Sequence, residues 1–283
     1  MKTILVPFDF SEEAENAFAF AKELATITQA HLKLLHVIEI PTAQNFNTTG
    51  EVGLGGDDIN NIFVIELVEK RKKQIKAIEE ESKDKAYKFS TKLTFGNPYA
   101  GISNEVAEIK ADLIIMGSKG SSGLEELLIG SNTEKVVRHA TCPVITIKGA
   151  ISPKSIKSII FASDFTKENE AIIPHLKKLQ ANVHAQLHLV KINTPNSFES
   201  SRESFSKIKS FVDKHKLDDV KVEIYNSDSE EDGIIQYAED NNIDMIAMAT
   251  HGRTGFMHLL SGSIAEDVVN HSKRPVWTMK IKK

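Results

Sequence analysis

The strongest constraint on this chain is that it is written twice. Shifted against itself by 132 positions, residues 116–148 fall on residues 248–280, and 15 of the 33 paired positions are identical. The matches include Gly120/Gly252, Gly123/Gly255, Gly130/Gly262, Ser131/Ser263, Glu134/Glu266, His139/His271 and Pro143/Pro275. Near the start of each half the shift is 155 instead, which pairs ILVPFDFS at 4–11 with IIFASDFT at 159–166. The 23-residue difference falls where the first half carries residues 41–61, rich in Gly, Asn and Thr, which the second half mostly lacks. A repeat this long is a duplicated domain rather than a solenoid unit. The expected domains are 1–150 and 151–283, joined near Gly149 to Pro153, in keeping with two domains for 283 residues.

Within the first copy, short apolar β-rich runs alternate with helical patterns. Strands are expected at 3–6, 32–38, 88–95, 113–116 and 144–147, and helices at 11–28, 62–82, 99–110 and 131–139. The second copy repeats the order with strands at 158–161, 187–192, 220–225, 245–248 and 276–281. Near-continuous apolar strands alternating with helices imply a parallel sheet covered on both faces. The expected fold class is α/β: two tandem doubly wound, five-stranded parallel-sheet domains.

Composition bounds the function classes. Net charge is −4 with no basic block, which argues against a nucleic-acid binder. No apolar run approaches the roughly 18 residues of a membrane span. The opening MKTILVPFDF has neither a long apolar segment nor a cleavage site, so no signal peptide is expected. Cys142 is the sole cysteine, so no intrachain disulfide can form; a reducing, cytoplasmic setting is the expectation. Cys142 reads as an inert core thiol and Trp277 as packing between the copies. The ten histidines show no metal-ligand spacing, so no metal site is expected in the protein itself.

The chemistry concentrates in MGSKGSSGLEELLIGS, residues 116–131, which leaves an apolar strand and enters a helix; MATHGRTGFMHLLSGS at 248–263 repeats it. Ligands of open parallel sheets bind beyond the carboxyl ends of the strands. Glycines there let backbone N–H groups approach a ligand, and a helix N-terminus favours an anion. The same residues admit a bland reading. Ser131-Asn132-Thr133-Glu134 and Ser263-Ile264-Ala265-Glu266 both fit a capping box, in which serine and glutamate satisfy the helix start unaided. On the loop alone, phosphate binding and simple capping stand even. The loop is neither a P-loop nor G-x-G-x-x-G, and Gly53-Leu54-Gly55-Gly56 follows no strand and opens no helix.

The spacing Gly117-x2-Gly120-x9-Gly130-Ser131 resembles the glycine motif of the nucleotide-binding branch of the universal stress proteins. ILVPFDFS, LLHV at 34–37, Phe95-Gly96-Asn97-Pro98, ADLIIMG at 111–117 and Cys142-Pro143-Val144 are similar to that family too, across nearly the whole chain in two copies. The resemblance implies a fold of the adenine nucleotide alpha hydrolase type and an ATP site. Asp9 would sit beside the ribose or adenine, and Val37 would meet the adenine through its backbone. Met116 and Gly117 would line the ribose–phosphate path, while Gly120, Gly130, Ser131 and Asn132 would contact the phosphates. Asp9 has a bland alternative as a helix N-terminal acid, and Lys119 one as a solvated lysine.

The second copy keeps Asp164, Gly252, Gly262 and Ser263, with Ile192 in place of Val37, but Ala249 replaces the first motif glycine and Lys191 replaces His36. If that first position needs a left-handed backbone, alanine costs about 1–2 kcal/mol; if it is merely extended, alanine costs little. His251-Gly252-Arg253-Thr254-Gly255 is typical of ATP-binding members and pulls the other way. The first copy is expected to bind and the second to bind weakly or not at all.

The resemblance thus implies a stress-response protein that binds ATP and acts as a nucleotide-dependent sensor or regulator through an unidentified protein partner. No nucleophile–base constellation is present, so the chain reads as no enzyme, or at most a slow ATPase in which Asp9 helps hold Mg2+. The alternative is a scaffold or chaperone-like module with remnant sites. A nucleotide-processing enzyme lacks support, because the S-G-G-x-D-S loop of related folds is absent. By resemblance, the last strands, 144–147 and 276–281, would pair within the chain as a pseudo-twofold dimer, hiding two edges. A further homodimer is left open, and residues 41–61 are a candidate lid.

Overall fold

The computed structural model describes residues 1–39, 58–83, 85–119, 129–250 and 264–281. Gly120, Gly252, Gly262, Ser263, the 53–56 glycines, the HGRTG run at 251–255 and most of the candidate lid lie outside them. The first copy runs β1 (Thr3–Pro7), α1 (Glu12–Thr28), β2 (His31–Ile38), α2 (Asp58–Glu81), β3 (Phe89–Phe95), α3 (Pro98–Ile109), β4 (Leu113–Gly117), α4 (Ser131–His139) and β5 (Val144–Ile147). The second runs β6 (Ser158–Ala162), α5 (Ile173–Val183), β7 (Gln186–Asn193), α6 (Ser201–His215), β8 (Val220–Asn226), α7 (Glu230–Asp240), β9 (Met245–Thr250), α8 (Ile264–His271) and β10 (Val276–Lys280). The expected strands and helices all appear, with ends shifted by a few residues. The size difference between copies is not confined to the loop at 41–61: α2 has 24 residues where α6 has 15.

All ten strands join one sheet in the order β3-β2-β1-β4-β5-β10-β9-β6-β7-β8. Pairing is parallel within each copy and antiparallel only where β5 meets β10. There Thr146 lies opposite Val276, Ile145 opposite Trp277 and Val144 opposite Thr278. The last strands do pair within the chain, and two edges disappear into one sheet. Trp277 is buried at this seam.

Alternating strand positions feed two cores, one on each face. The face under α1 and α5 holds Ile4, Val6, Phe20, Leu24, Leu176 and Trp277, among others, and runs through both copies. The opposite face, under α3, α4, α7 and α8, holds Leu5, Ile114, Val136, Ile160, Ile246 and Val268. The connection between copies is docked as well. Ser152 Oγ donates to Glu23 Oε2 of α1 at 2.5 Å, accepts from Lys154 N–H at 3.2 Å and opens a short 3-10 helix, Pro153–Ser155.

Candidate functional site

β2, β1 and β4 are neighbours, so their carboxyl ends bring Asp9, Val37, Met116 and Gly117 to one end of the sheet. Asp9 follows β1 in a tight turn. Its Oδ1 accepts from Ser11 N–H at 3.0 Å and from Ser11 Oγ at 2.6 Å, while Ser11 caps α1 by accepting from Ala14 N–H at 3.2 Å. The turn forces Phe10 into the left-handed region at φ 66°, and Phe165 repeats this in the second copy at φ 56°. Such a backbone costs a bulky residue about 1–3 kcal/mol, and its recurrence at both strand ends marks it as part of the design. The sequence shows the pairing of Phe10 with Phe165 but not the strain.

Around Phe10 a small aromatic cluster closes the turn. Its ring meets Phe8 at 4.8 Å and His36 at 5.0 Å, and the Arg71 guanidinium lies 4.3 Å above it. His36 is buried and donates Nδ1–H to the Phe8 carbonyl at 2.6 Å, which fixes the tautomer. Burial holds its pKa below the usual histidine value, although the bond to Phe8 pulls the other way. His36 thus staples the end of β2 to the end of β1.

Val37, next to last in β2, is half-buried beneath α3. A Cβ on Gly101 would stand 2.9 Å from Val37 Cγ2, and in the second copy a Cβ on Gly233 would stand 2.5 Å from Ile192 Cγ2. These paired helix glycines let α3 and α7 press onto the strand ends. Their recurrence at the 132-residue shift is visible in the sequence, but the close approach that requires them is not.

Met116 is a core residue, so only its backbone belongs to the strand end. Gly117 is extended in β4; among the described glycines only Gly96 is left-handed. A Cβ on Gly117 would stand 2.8 Å from Glu13 Cβ and 2.9 Å from the Glu13 carbonyl carbon, so the constraint here is the close approach of α1. In the second copy the place of α1's first turn is taken by a 3-10 helix, Lys167–Ile172, and Ala249 sits extended in β9. The left-handed argument against Ala249 therefore does not hold.

The glycine loop is pinched shut at its base. Gly130 N–H donates to the Ser118 carbonyl at 2.8 Å, and Ser118 N–H to the Ile147 carbonyl at 3.0 Å. Thr133 Oγ donates to the Gly117 carbonyl at 3.0 Å. The capping-box reading fails at this helix. Gly130, not Ser131, is the N-cap, with φ −63° and ψ 141°, and, lacking a side chain, it makes no side-chain cap bond. The helix begins one residue earlier than the box requires, so the Glu134 carboxylate turns to Arg138 at 2.9 Å. By contrast, α1, α3, α6 and α7 are capped by Ser11, Asn97, Ser200 and Ser229. Ser131 is exposed and Asn132 half-buried at the open end of α4. Beside the loop, burial and then the charge of Lys119 hold the Lys148 amine down to about 8.

The second copy ends its strands differently. Asp164 accepts from Thr166 N–H at 3.4 Å and Thr166 Oγ at 3.2 Å, a looser and more exposed version of the Asp9 turn. Beyond Ile192, which is buried in β7, the buried Asn193 and Thr194 are tied down. Asn193 Nδ2 donates to the Glu199 carbonyl at 2.9 Å, and Thr194 and Ser197 both donate to Glu230 Oε1 at 2.9 Å. A short polar plug thereby closes the carboxyl end of β7.

The family model for the universal stress proteins matches residues 1–148 and again 155–280. The chain belongs to the universal stress protein family. A universal stress protein of Synechocystis, Slr1230, is 24% identical over 294 residues, spanning 99% of this chain and all of its own. The universal stress protein MJ0577 of Methanocaldococcus jannaschii is 35% identical over 153 residues, 52% of this chain and 94% of its own. Among solved structures, a universal stress protein from Archaeoglobus fulgidus superposes with a TM-score of 0.76 at 20% identity, covering 99% of this chain and 98% of that one. The tandem arrangement of two universal stress protein units is therefore shared at full length. Among the described residues, no helix is long and apolar enough to cross a membrane, and no group of three or more His, Cys, Asp or Glu could hold a metal ion.

Proposed function

We propose that the first unit, residues 1–150, binds an adenine nucleotide, ATP by the family resemblance, and that the protein acts as a nucleotide-dependent regulator rather than an enzyme. The observation that carries this reading is the N-terminus of α4, where the N-cap is Gly130, a residue with no side chain to satisfy the first-turn N–H groups. Unmet N–H groups and the helix dipole there suit a phosphate. Gly130, Ser131 and Asn132, with Gly120, would hold the phosphates, and the strand ends at Asp9, Val37, Met116 and Gly117 would hold the nucleoside. Several charge-assisted hydrogen bonds of about 1.5–3 kcal/mol each are sufficient for micromolar affinity. Mg2+ would enter with the phosphates, and Asp9 would be a candidate to help hold it.

In the second unit, 151–283, Asp164, Ile192, Gly252, Gly262 and Ser263 form the corresponding set. The plug around Asn193, Thr194 and Glu230 favours weak binding or none there. A cytoplasmic stress response and signalling through a protein partner belong to the same reading.

The test is to denature freshly purified protein and quantify the nucleotide released per chain by chromatography, alongside Gly130→Glu. Bound adenine nucleotide that vanishes in the variant supports the reading. An empty protein that also takes up no added ATP favours the scaffold alternative.

A further inference from the structure

The first unit's glycine loop does not end in contacts with its own unit alone. Ile129, immediately before Gly130, donates its N–H to Asn270 Oδ1 of α8 at 2.7 Å. Because a backbone N–H must donate, Asn270 necessarily turns its oxygen to the loop. Asn270 is itself held from the other side: the Lys148 ammonium, at the end of β5, donates to the Asn270 carbonyl. A cation at the last turn of a helix is favourably placed.

One turn earlier on α8, Glu266 receives Arg138 of α4, whose Nε donates to Oε1 at 2.7 Å and whose second nitrogen reaches Oε2. Glu266 and Asn270 are four residues apart and share one helix face. That face thus clamps α4 at both ends: Ile129 just before its start and Arg138 near its finish.

The clamp breaks the internal symmetry. Arg138 and Asn270 are equivalent under the 132-residue shift, as are Glu134 and Glu266. In the first copy that position is an arginine that crosses to the second copy. In the second copy it is an asparagine that serves the first copy's loop.

We infer that the second unit is a positioning element for the first unit's phosphate site, with Asn270 fixing the exit of the glycine loop. This rests on the nucleotide reading above for its ligand, but the contact itself does not. Losing one such backbone hydrogen bond weakens nucleotide affinity about three- to tenfold. By linkage, nucleotide in the first unit must favour the Ile129–Asn270 bond by the same factor.

The experiment compares the full-length chain with Asn270→Ala and Asn270→Asp, since aspartate keeps the accepting oxygen. Two readouts are taken: the hydrogen-exchange rate of the Ile129 amide, and ATP affinity at high ionic strength, where the added charge of aspartate is screened. The expected result is faster Ile129 exchange and weaker ATP binding in Asn270→Ala, with both restored in Asn270→Asp and thermal stability little changed. Unchanged Ile129 exchange in Asn270→Ala, or ATP affinity within twofold of the parent, overturns the inference. If the parent binds no ATP, the nucleotide reading falls, and Ile129 exchange alone still decides whether the second unit holds the loop.

Discussion

At the scale of single residues, Gly117 shows why a motif glycine can have a packing reason beside a ligand-binding one. Its missing Cβ makes room for the backbone of α1 at Glu13, which has no freedom to yield. Gly117→Ala should therefore destabilise the protein by about 1–3 kcal/mol in urea titrations, the usual cost of overpacking. Ala249→Gly in the second copy should cost about 1 kcal/mol or less, through strand entropy alone. Equal effects at the two sites would remove the packing account. A second residue-scale contrast lies under α3. There the buried Glu105 joins Lys33 at 2.6 Å and Lys92 at 2.5 Å. The corresponding place in the second copy holds Tyr237, with His188 Nδ1 at 2.9 Å from its hydroxyl. Burial pushes the Glu105 pKa up, but the two lysines outweigh it and hold the carboxyl below its ordinary 4.5. Its stabilisation is thus complete above about pH 4.5 and is lost as pH falls through the lower folded value. Glu105→Gln should cost about 2 kcal/mol at pH 7, discounted because solvent reaches Lys92, and progressively less as the pH falls below 4.5. Urea titrations at pH 7 and at a series of pH values below 4.5 check both the size and the sign. The sequence displays Glu105 only as a charge on an amphipathic helix; that it is buried between lysines of β2 and β3 depends on the register of those two strands, which no local pattern encodes.

At the scale of elements, the alternation of strands and helices is legible because the central strands are near-continuous apolar runs, only the outer β3 and β8 being mixed, and helical patterns separate them. The start of α4 is not. Ser131 and Glu134 satisfy the capping-box pattern, yet the bond from Gly130 N–H to the Ser118 carbonyl draws the chain into the helix one residue early. A long-range backbone bond overrode a local signal. This makes a prediction with opposite signs. Gly130→Ser should supply the missing cap and raise stability by a few tenths of a kcal/mol, while occupying N–H groups meant for phosphate and weakening ATP binding. Thermal denaturation and binding titration on the same sample test it; a serine variant that binds ATP as well as the parent would count against the open helix end as the phosphate site. The asymmetry of α2 and α6 was half legible, since the extra sequence was assigned to a loop when part of it lengthens the helix.

At the scale of the whole molecule, the duplication determined the architecture, and the antiparallel pairing of β5 with β10 turns two domains into one sheet. One face of the core runs through both copies, with Trp277 buried at the seam. The two halves should consequently unfold together. Calorimetric and van't Hoff enthalpies should agree for the parent, and Trp277→Ala should lower stability by about 3–5 kcal/mol. Two separated transitions in the parent would contradict a shared core. What duplication could not reveal is the local detail at the described strand and helix ends: Asn193, Thr194 and Glu230 form a polar cluster after β7, and α4 starts at Gly130 with no side-chain cap of its own. The sequence argument through Ala249 rested on a backbone reason that the structure removes. The most direct test of the proposed division between a binding first unit and a weak or non-binding second unit is the stoichiometry of labelled ATP bound at saturation by nucleotide-stripped protein in equilibrium dialysis. One ATP per chain, abolished by Gly130→Glu, is the predicted result; two per chain, or one that survives Gly130→Glu, would contradict it.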